Sequence, residues 1–253
     1  MSVPLAELPA AAVVAWVRLR DELRAIVRGD ELVALWGHGS RAFPDPPLRL
    51  GDIDAWAVLE RPVGAGTARR IRSAHHAIER ELAVDLDVGY ILARDAARRD
   101  VPRDLLRSDA HHATWALHRA HWLAGRHVLL HGKAPERIVR PPTWAELERA
   151  LRSELEHLER HVAAGDDDPY EASYAILNGS RLLKSIASRD VAISKRAAGR
   201  WALEHVPDRW HGAIRAALRS YDGKAKATDA AALRATMAPF VAFVKERLKS
   251  SLE

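Results

Sequence analysis

Cysteine is absent from all 253 residues, which excludes disulfides, thiolate catalysis and cysteine-ligated zinc and fits a reducing, cytoplasmic setting. Long apolar runs are also missing. The stretch Ala10 to Val17 is soon interrupted by Arg18, Arg20 and Asp21, far short of the roughly 20 apolar residues that a bilayer crossing needs, so no membrane partner is expected. Met1-Ser2-Val3-Pro4-Leu5-Ala6-Glu7 lacks the basic start of a secretory leader. No block of single-signed charge dominates: 39 Lys and Arg stand against 34 Asp and Glu, a net +5. Local basic excess at Arg69-Arg70-Ile71-Arg72 and from Arg94 to Arg103 reads as solvated helix faces rather than a nucleic-acid surface. No internal repeat, heptad array or low-complexity tract is present.

What the chain does have is a pair of acids in a strand-like setting. Leu32-Val33-Ala34-Leu35-Trp36 leads into Gly37-His38-Gly39-Ser40, and Asp52-Ile53-Asp54 opens a second apolar run through Ala57-Val58. Carboxylates at i and i+2 of a strand share one face and suit a hard divalent cation such as Mg²⁺. Gly39 lets backbone N–H groups approach a phosphate, and the Ser40 hydroxyl can donate to it. A triphosphate is the implied ligand. An in-line displacement between metals calls for a further acid and a proton acceptor. Leu82-Ala83-Val84-Asp85-Leu86-Asp87-Val88 supplies both Asp85 and Asp87, alternating with apolar residues.

Periodicity predicts a leading helix over Ala6–Val27, strands over Leu32–Trp36, Ile53–Leu59 and Val84–Leu92, a helix over Thr67–Leu82 between the last two, and another over Ala110–Leu123. Pro141-Pro142 breaks the chain, and Thr143-Trp144-Ala145-Glu146 opens a helix as a capping box. Segments near 143–163, 170–187, 194–205, 208–221 and 229–250 read as helices joined by short loops, an antiparallel bundle. The expected fold is therefore α+β. Residues 1–142 form a small mixed sheet with helices, and 143–253 form an α-helical bundle.

Other motifs carry less. His118 and His121 lie about one helical turn apart, but without an interleaved acid they do not make a zincin site. His38, inside the Gly-His-Gly-Ser turn, is open to two roles, phosphate contact or ordinary turn residue. Gly64-Ala65-Gly66-Thr67 lacks the lysine and spacing of a P-loop and reads as a connection into a helix. Most of the eight tryptophans are expected in packing roles.

The order hydrophobic-Gly39-Ser40, eleven residues, Asp52-Ile53-Asp54, then a strand with further acid, resembles the polymerase-β-type nucleotidyltransferases. Tyr174 to Ile186, with Ile193-Ser194-Lys195-Arg196-Ala197-Ala198-Gly199-Arg200-Trp201-Ala202, resembles the C-terminal helical domain of aminoglycoside adenylyltransferases of the streptomycin/spectinomycin group. The likeness covers most of the chain and is weakest from Arg94 to Leu123. It implies an enzyme with Mg²⁺ as cofactor and ATP as co-substrate. AMP would pass to a hydroxyl of a small cationic acceptor, with loss of pyrophosphate and antibiotic resistance as the associated role.

By the same likeness, residues 1–142 are the nucleotidyltransferase domain and 143–253 the substrate-binding domain. Asp52 and Asp54 hold metal, and Arg181 and Lys195 join Gly39 and Ser40 on the phosphates. Asp85 matches the position of the family's base, where a Glu is found in the relative compared, while Asp87 falls where a small hydroxyl residue is more usual. Either is left as base or as third metal ligand. Asp167 and Glu171 match acids that bind the acceptor's cationic groups. Trp115 lies nearest in sequence, out of register, to the tryptophan that packs on the drug. Two alternatives stand beside this: a related transferase acting on RNA, protein or another metabolite, and a non-catalytic, antitoxin-type nucleotide-binding module.

Overall fold

A computed structural model describes residues 2–43, 46, 52–107, 113–164 and 169–252. The chain divides into two compact units, one running to Pro142 and the other starting at Thr143.

In the first unit, α1 (Ala10–Ile26) precedes β1 (Leu32–Gly37), and β2 (Ile53–Leu59), α2 (Ala65–Leu82) and β3 (Leu86–Leu92) follow. The short α3 (Ala93–Ala96), α4 (Trp115–Leu123) and β4 (Val128–Gly132) complete it. The strands form a sheet in the order β3-β2-β1-β4. β1 is antiparallel to both β2 and β4, whereas β2 and β3 are parallel, as a strand pair joined through a crossover helix must be.

Alternation along the strands sorts side chains onto two faces. Leu35, Ile53, Ala55, Ala57, Val88 and Tyr90 pack with Ala12, Trp16, Leu19 and Leu23 of α1 and Ile71 and Ile78 of α2. Ala34, Trp36, Trp56, Val58 and Ile91 pack on the opposite face with Trp115 and Trp122 of α4. The buried residues of α1 recur at three- and four-residue intervals, the stripe a helix needs to lie on a sheet.

Several boundaries differ from those read in the sequence. The leading helix starts only at Ala10, after Pro9, with a separate 3-10 turn at Leu5–Glu7, because proline fits a helix start and not its interior. β3 begins at Leu86 rather than Val84. Ala83 closes α2 in the left-handed conformation (φ 50°), and the chain straightens only beyond Asp85. α4 begins at Trp115; the expected start at Ala110 lies outside the described residues. β4 was not expected as a strand.

β3 is an edge strand, and the segment after it covers that edge. The Tyr90 N–H donates to Asp104 Oδ2 (3.1 Å), the Leu105 N–H donates to the Tyr90 carbonyl (2.8 Å), and Arg107 Nη2 donates to the Val88 carbonyl (3.0 Å).

The second unit is helical: α5 (Trp144–Ala164), α6 (Pro169–Ser188), α7 (Lys195–His205), α8 (His211–Tyr221) and α9 (Asp229–Leu252). The capping box at the head of α5 is formed. The Thr143 N–H donates to Glu146 Oε2 (2.8 Å), and the Glu146 N–H donates to Thr143 Oγ1 (3.3 Å). Ser194 caps α7 by accepting the Ala197 N–H (3.0 Å). α6 is the core helix, with Ala172, Ala175, Ile176 and Leu177 at 1% exposure or less. Gly179 of α6 gives Phe240 and Val244 of α9 room to approach, since a Cβ there would lie 3.0 Å from each.

Candidate active site

The first unit's site grows from the end of β1. His38 is extended (φ −148°, ψ −150°), and Gly39 then turns left-handed (φ +74°) into a single 3-10 turn over Gly39–Ala42. The His38 N–H donates to the Asp54 carbonyl (3.0 Å), which ties the glycine turn to β2. A Cβ on Gly39 would lie 1.8 Å from Asp54 Oδ2, so the Asp54 carboxylate rests directly on the turn's backbone. Glycine is required twice over here, by conformation and by this contact. Ser40 follows, half-buried.

Parallel register brings the acids together. Asp54 on β2 stands opposite Asp87 on β3, and one step earlier the Ile53 N–H donates to the Asp85 carbonyl (2.8 Å). Asp52 and Asp85 are exposed and sit just outside the strands, not on them as the sequence suggested. Asp54 shares its face with Trp56, and Asp87 shares its face with Gly89, on whose backbone the Trp56 ring lies.

Asp85 and Asp87 differ in their engagements. Asp87 pairs with Arg107 Nη2 at 2.8 Å. Arg107 is itself placed by its backbone N–H on the buried Asp104 (2.8 Å) and by its side chain on the Val88 carbonyl (3.0 Å). Asp85 has no such counter-ion among the described residues.

Among the described residues no group of three or more His, Asp or Glu is arranged to enclose a metal. Oxygen donors on adjacent strands nonetheless fit Mg²⁺, which binds through one or two carboxylates with water and substrate phosphate rather than an all-protein cage. His118 and His121 do not form a site. The His118 ring packs at 5.1 Å from His38 and 5.9 Å from Trp122, while His121 meets Phe43 at 5.5 Å. His38 is buried, and burial pushes its pKa well below the ordinary value, helped by His118 and His121. It is a neutral ring packed in the interior, not a cation offered to phosphate.

Trp115 requires correction as an acceptor-packing residue. It is 1% exposed, with its ring 5.3 Å from Trp56 and 5.4 Å from Trp122. It fills the core beneath the sheet and presents no face to a ligand.

In the second unit, Glu171, Tyr174, Asn178 and Arg181 form one stripe along α6 by their three- and four-residue spacing. His161 of α5 brings Nε2 to 2.8 Å from Glu171 Oε2. Lys195, at the start of α7, holds Nζ 4.2 Å from the centroid of the Tyr174 ring, a cation–π contact. Arg181 Nη1 donates to Asn178 Oδ1 (3.2 Å). Burial, then the negative charge of Glu154, raises the Tyr174 pKa far above its ordinary value. Glu171, Arg181 and Lys195 thus gather around Tyr174. That residue was not singled out from sequence, although its spacing from Glu171 was a usable signal. Asp167 lies outside the described residues.

Residues 138–247 match the family model for the aminoglycoside adenylyltransferase C-terminal domain. The crystal structure of spectinomycin adenyltransferase AAD(9) from Enterococcus faecialis, with ATP and spectinomycin, superposes with a TM-score of 0.73 at 14% identity. The match covers 93% of this chain and 98% of that one. No curated protein matches the chain by sequence.

The fold, α+β with a C-terminal helical region, is that of the spectinomycin adenyltransferase structure. The matched segment, residues 138–247, is similar to the domain that closes the aminoglycoside adenylyltransferases.

Proposed function

We propose that the protein transfers AMP from ATP to a hydroxyl of a cationic aminoglycoside-type acceptor, releasing pyrophosphate. The observation that carries this reading is the contact of the Asp54 carboxylate with the Gly39 turn, beside its register partner Asp87. A phosphate cradle and the acids that bind a hard cation are thereby adjacent.

Asp52 and Asp54 are the residues that would hold Mg²⁺, with Asp87 or Asp85 nearby. When bound, the metal supplies charge stabilisation at the phosphoryl group under attack. Gly39 and Ser40 bind phosphate oxygens through the turn's N–H groups and hydroxyl. In the second unit, Arg181 and Lys195 are the cations suited to phosphate oxygens. Asp85 takes the proton from the acceptor hydroxyl, since among the described residues its carboxylate has no counter-ion while that of Asp87 is held by Arg107. Glu171 offers a carboxylate to the acceptor's cationic group. AAD(9) was solved with ATP and spectinomycin, which supports the choice of co-substrate and of acceptor class.

Mass spectrometry of spectinomycin, streptomycin and other aminoglycosides incubated with enzyme, ATP and Mg²⁺ tests the reading. An adduct of AMP mass on one drug, abolished by Asp54→Asn, is the expected result. ATP binding without any adduct would remove the antibiotic assignment and direct the search to RNA, protein or metabolite acceptors.

A further inference from the structure

One backbone carbonyl, that of Asp54, receives two hydrogen bonds from different parts of the first unit. The His38 N–H donates to it at 3.0 Å, immediately before the glycine turn. The indole Nε1–H of Trp16, on α1, donates to it at 3.0 Å. Trp16 is fully buried, and its ring lies flat on β1, such that a Cβ on Gly37 would fall 2.7 Å from Trp16 Cε2. One side chain therefore touches the strand that ends in the phosphate turn and bonds the residue bearing the carboxylate.

Most of the α1 stripe is aliphatic and packs without direction. Trp16 differs in using a polar atom, and a buried indole N–H placed on a second lone pair constrains the position of its acceptor. The acceptor belongs to the residue whose carboxylate lies against Gly39.

We propose that Trp16 is a positioning residue for the nucleotide site, fixing the Asp54 carboxylate relative to the Gly39–Ser40 turn through its hydrogen bond to the Asp54 carbonyl. The proposal rests on the functional reading above for what the site binds. It adds a residue from α1, an element that contributes no ligand itself.

The test compares Trp16→Phe, which keeps an aromatic ring over Gly37 and removes the donor, with Leu23→Val, which loosens the same core away from Asp54. Binding of ATP with Mn²⁺ as spectroscopic probe is titrated by electron paramagnetic resonance, and thermal midpoints are recorded alongside. Trp16→Phe is expected to weaken Mn²⁺·ATP binding about tenfold, the low end for loss of an outer partner of a metal ligand. It should lower kcat more than it changes the KM for the acceptor. Leu23→Val should lower the midpoint and leave Mn²⁺·ATP binding at the wild-type value.

Equal Mn²⁺·ATP affinities in wild type and Trp16→Phe would overturn the proposal, as would a loss in Leu23→Val matching that in Trp16→Phe at an equal midpoint. Wild-type protein that binds Mn²⁺·ATP but modifies no aminoglycoside would refute the acceptor assignment while the Trp16 comparison still decides. Wild-type protein that binds no Mn²⁺·ATP would overturn both.

Discussion

The carboxylate of Asp54 fills the space that a β-carbon on Gly39 would occupy, 1.8 Å from Oδ2. Gly39→Ala is therefore expected to fail twice. The left-handed backbone costs an alanine about 1–2 kcal/mol, and the new methyl displaces the carboxylate. AMP transfer should fall by about 100-fold, the scale of a 1 Å misplacement at a reacting centre. Folding stability should drop by only about 1–2 kcal/mol. Steady-state kinetics and urea denaturation of the same preparation separate the two effects.

Asp85→Asn and Asp87→Asn should differ. Loss of the proton acceptor lowers kcat by roughly 10² to 10⁴, and this is expected at Asp85. At Asp87, the change removes a carboxylate already held by Arg107 at 2.8 Å. It should raise the Mg²⁺ requirement more than it lowers kcat at saturating metal. Mg²⁺ titrations of kcat distinguish them, and a larger kcat loss at Asp87 would reverse the assignment.

Trp115 sits among Trp56 and Trp122 with 1% exposure. Trp115→Ala should cost about 3–5 kcal/mol of stability, as for large-to-small changes at buried aromatics. Trp115→Phe should leave the KM for the acceptor unaltered. A selective rise in that KM, at unchanged stability, would return Trp115 to the ligand site.

Acid should destabilise the first unit in a defined window. His75 bonds the buried Tyr90 hydroxyl through Nε2 (2.8 Å), and burial lowers its pKa from 6.5 to about 4. Between pH 6.5 and about 4 the unfolded chain carries a proton that the folded one does not, so stability falls as pH is lowered through that range and levels off below it. His38, lowered by burial in the same direction, adds to the slope. His75→Gln, which does not titrate, should give a shallower decline in thermal midpoint between pH 6.5 and 4.5, measured by calorimetry.

The α+β class and the C-terminal helices were legible because β2 is a short, almost continuous apolar run and helical apolar spacing is strong in α2 and α5 to α8. The bounds of β2, Ile53–Leu59, match the pattern because a near-continuous apolar run there is bounded by Gly51-Asp52 and Glu60-Arg61-Pro62. The acids were visible as a motif, but their partners were not. Arg107 reaches Asp87 across 20 residues, and only the closing of the β3 edge reveals it. β4 escaped notice because Val128-Leu129-Leu130-His131-Gly132 is short, with one face exposed at Leu129. Trp115 was misplaced because a tryptophan's sequence neighbourhood does not distinguish core from cleft. Tyr174 was missed although its three-residue spacing from Glu171 was a usable signal, and Trp16 because nothing local marks an indole that bonds a backbone carbonyl 38 residues away.

The covering of β3 by Asp104, Leu105 and Arg107 has a bearing on how molecules of this protein meet one another. An uncovered edge beside the acids would offer a row of backbone donors and acceptors to any extended chain, including the same strand of a second copy. Here the Val88 carbonyl and both backbone groups of Tyr90 are already occupied. Copies crowded together at high expression therefore find few open backbone groups along this stretch.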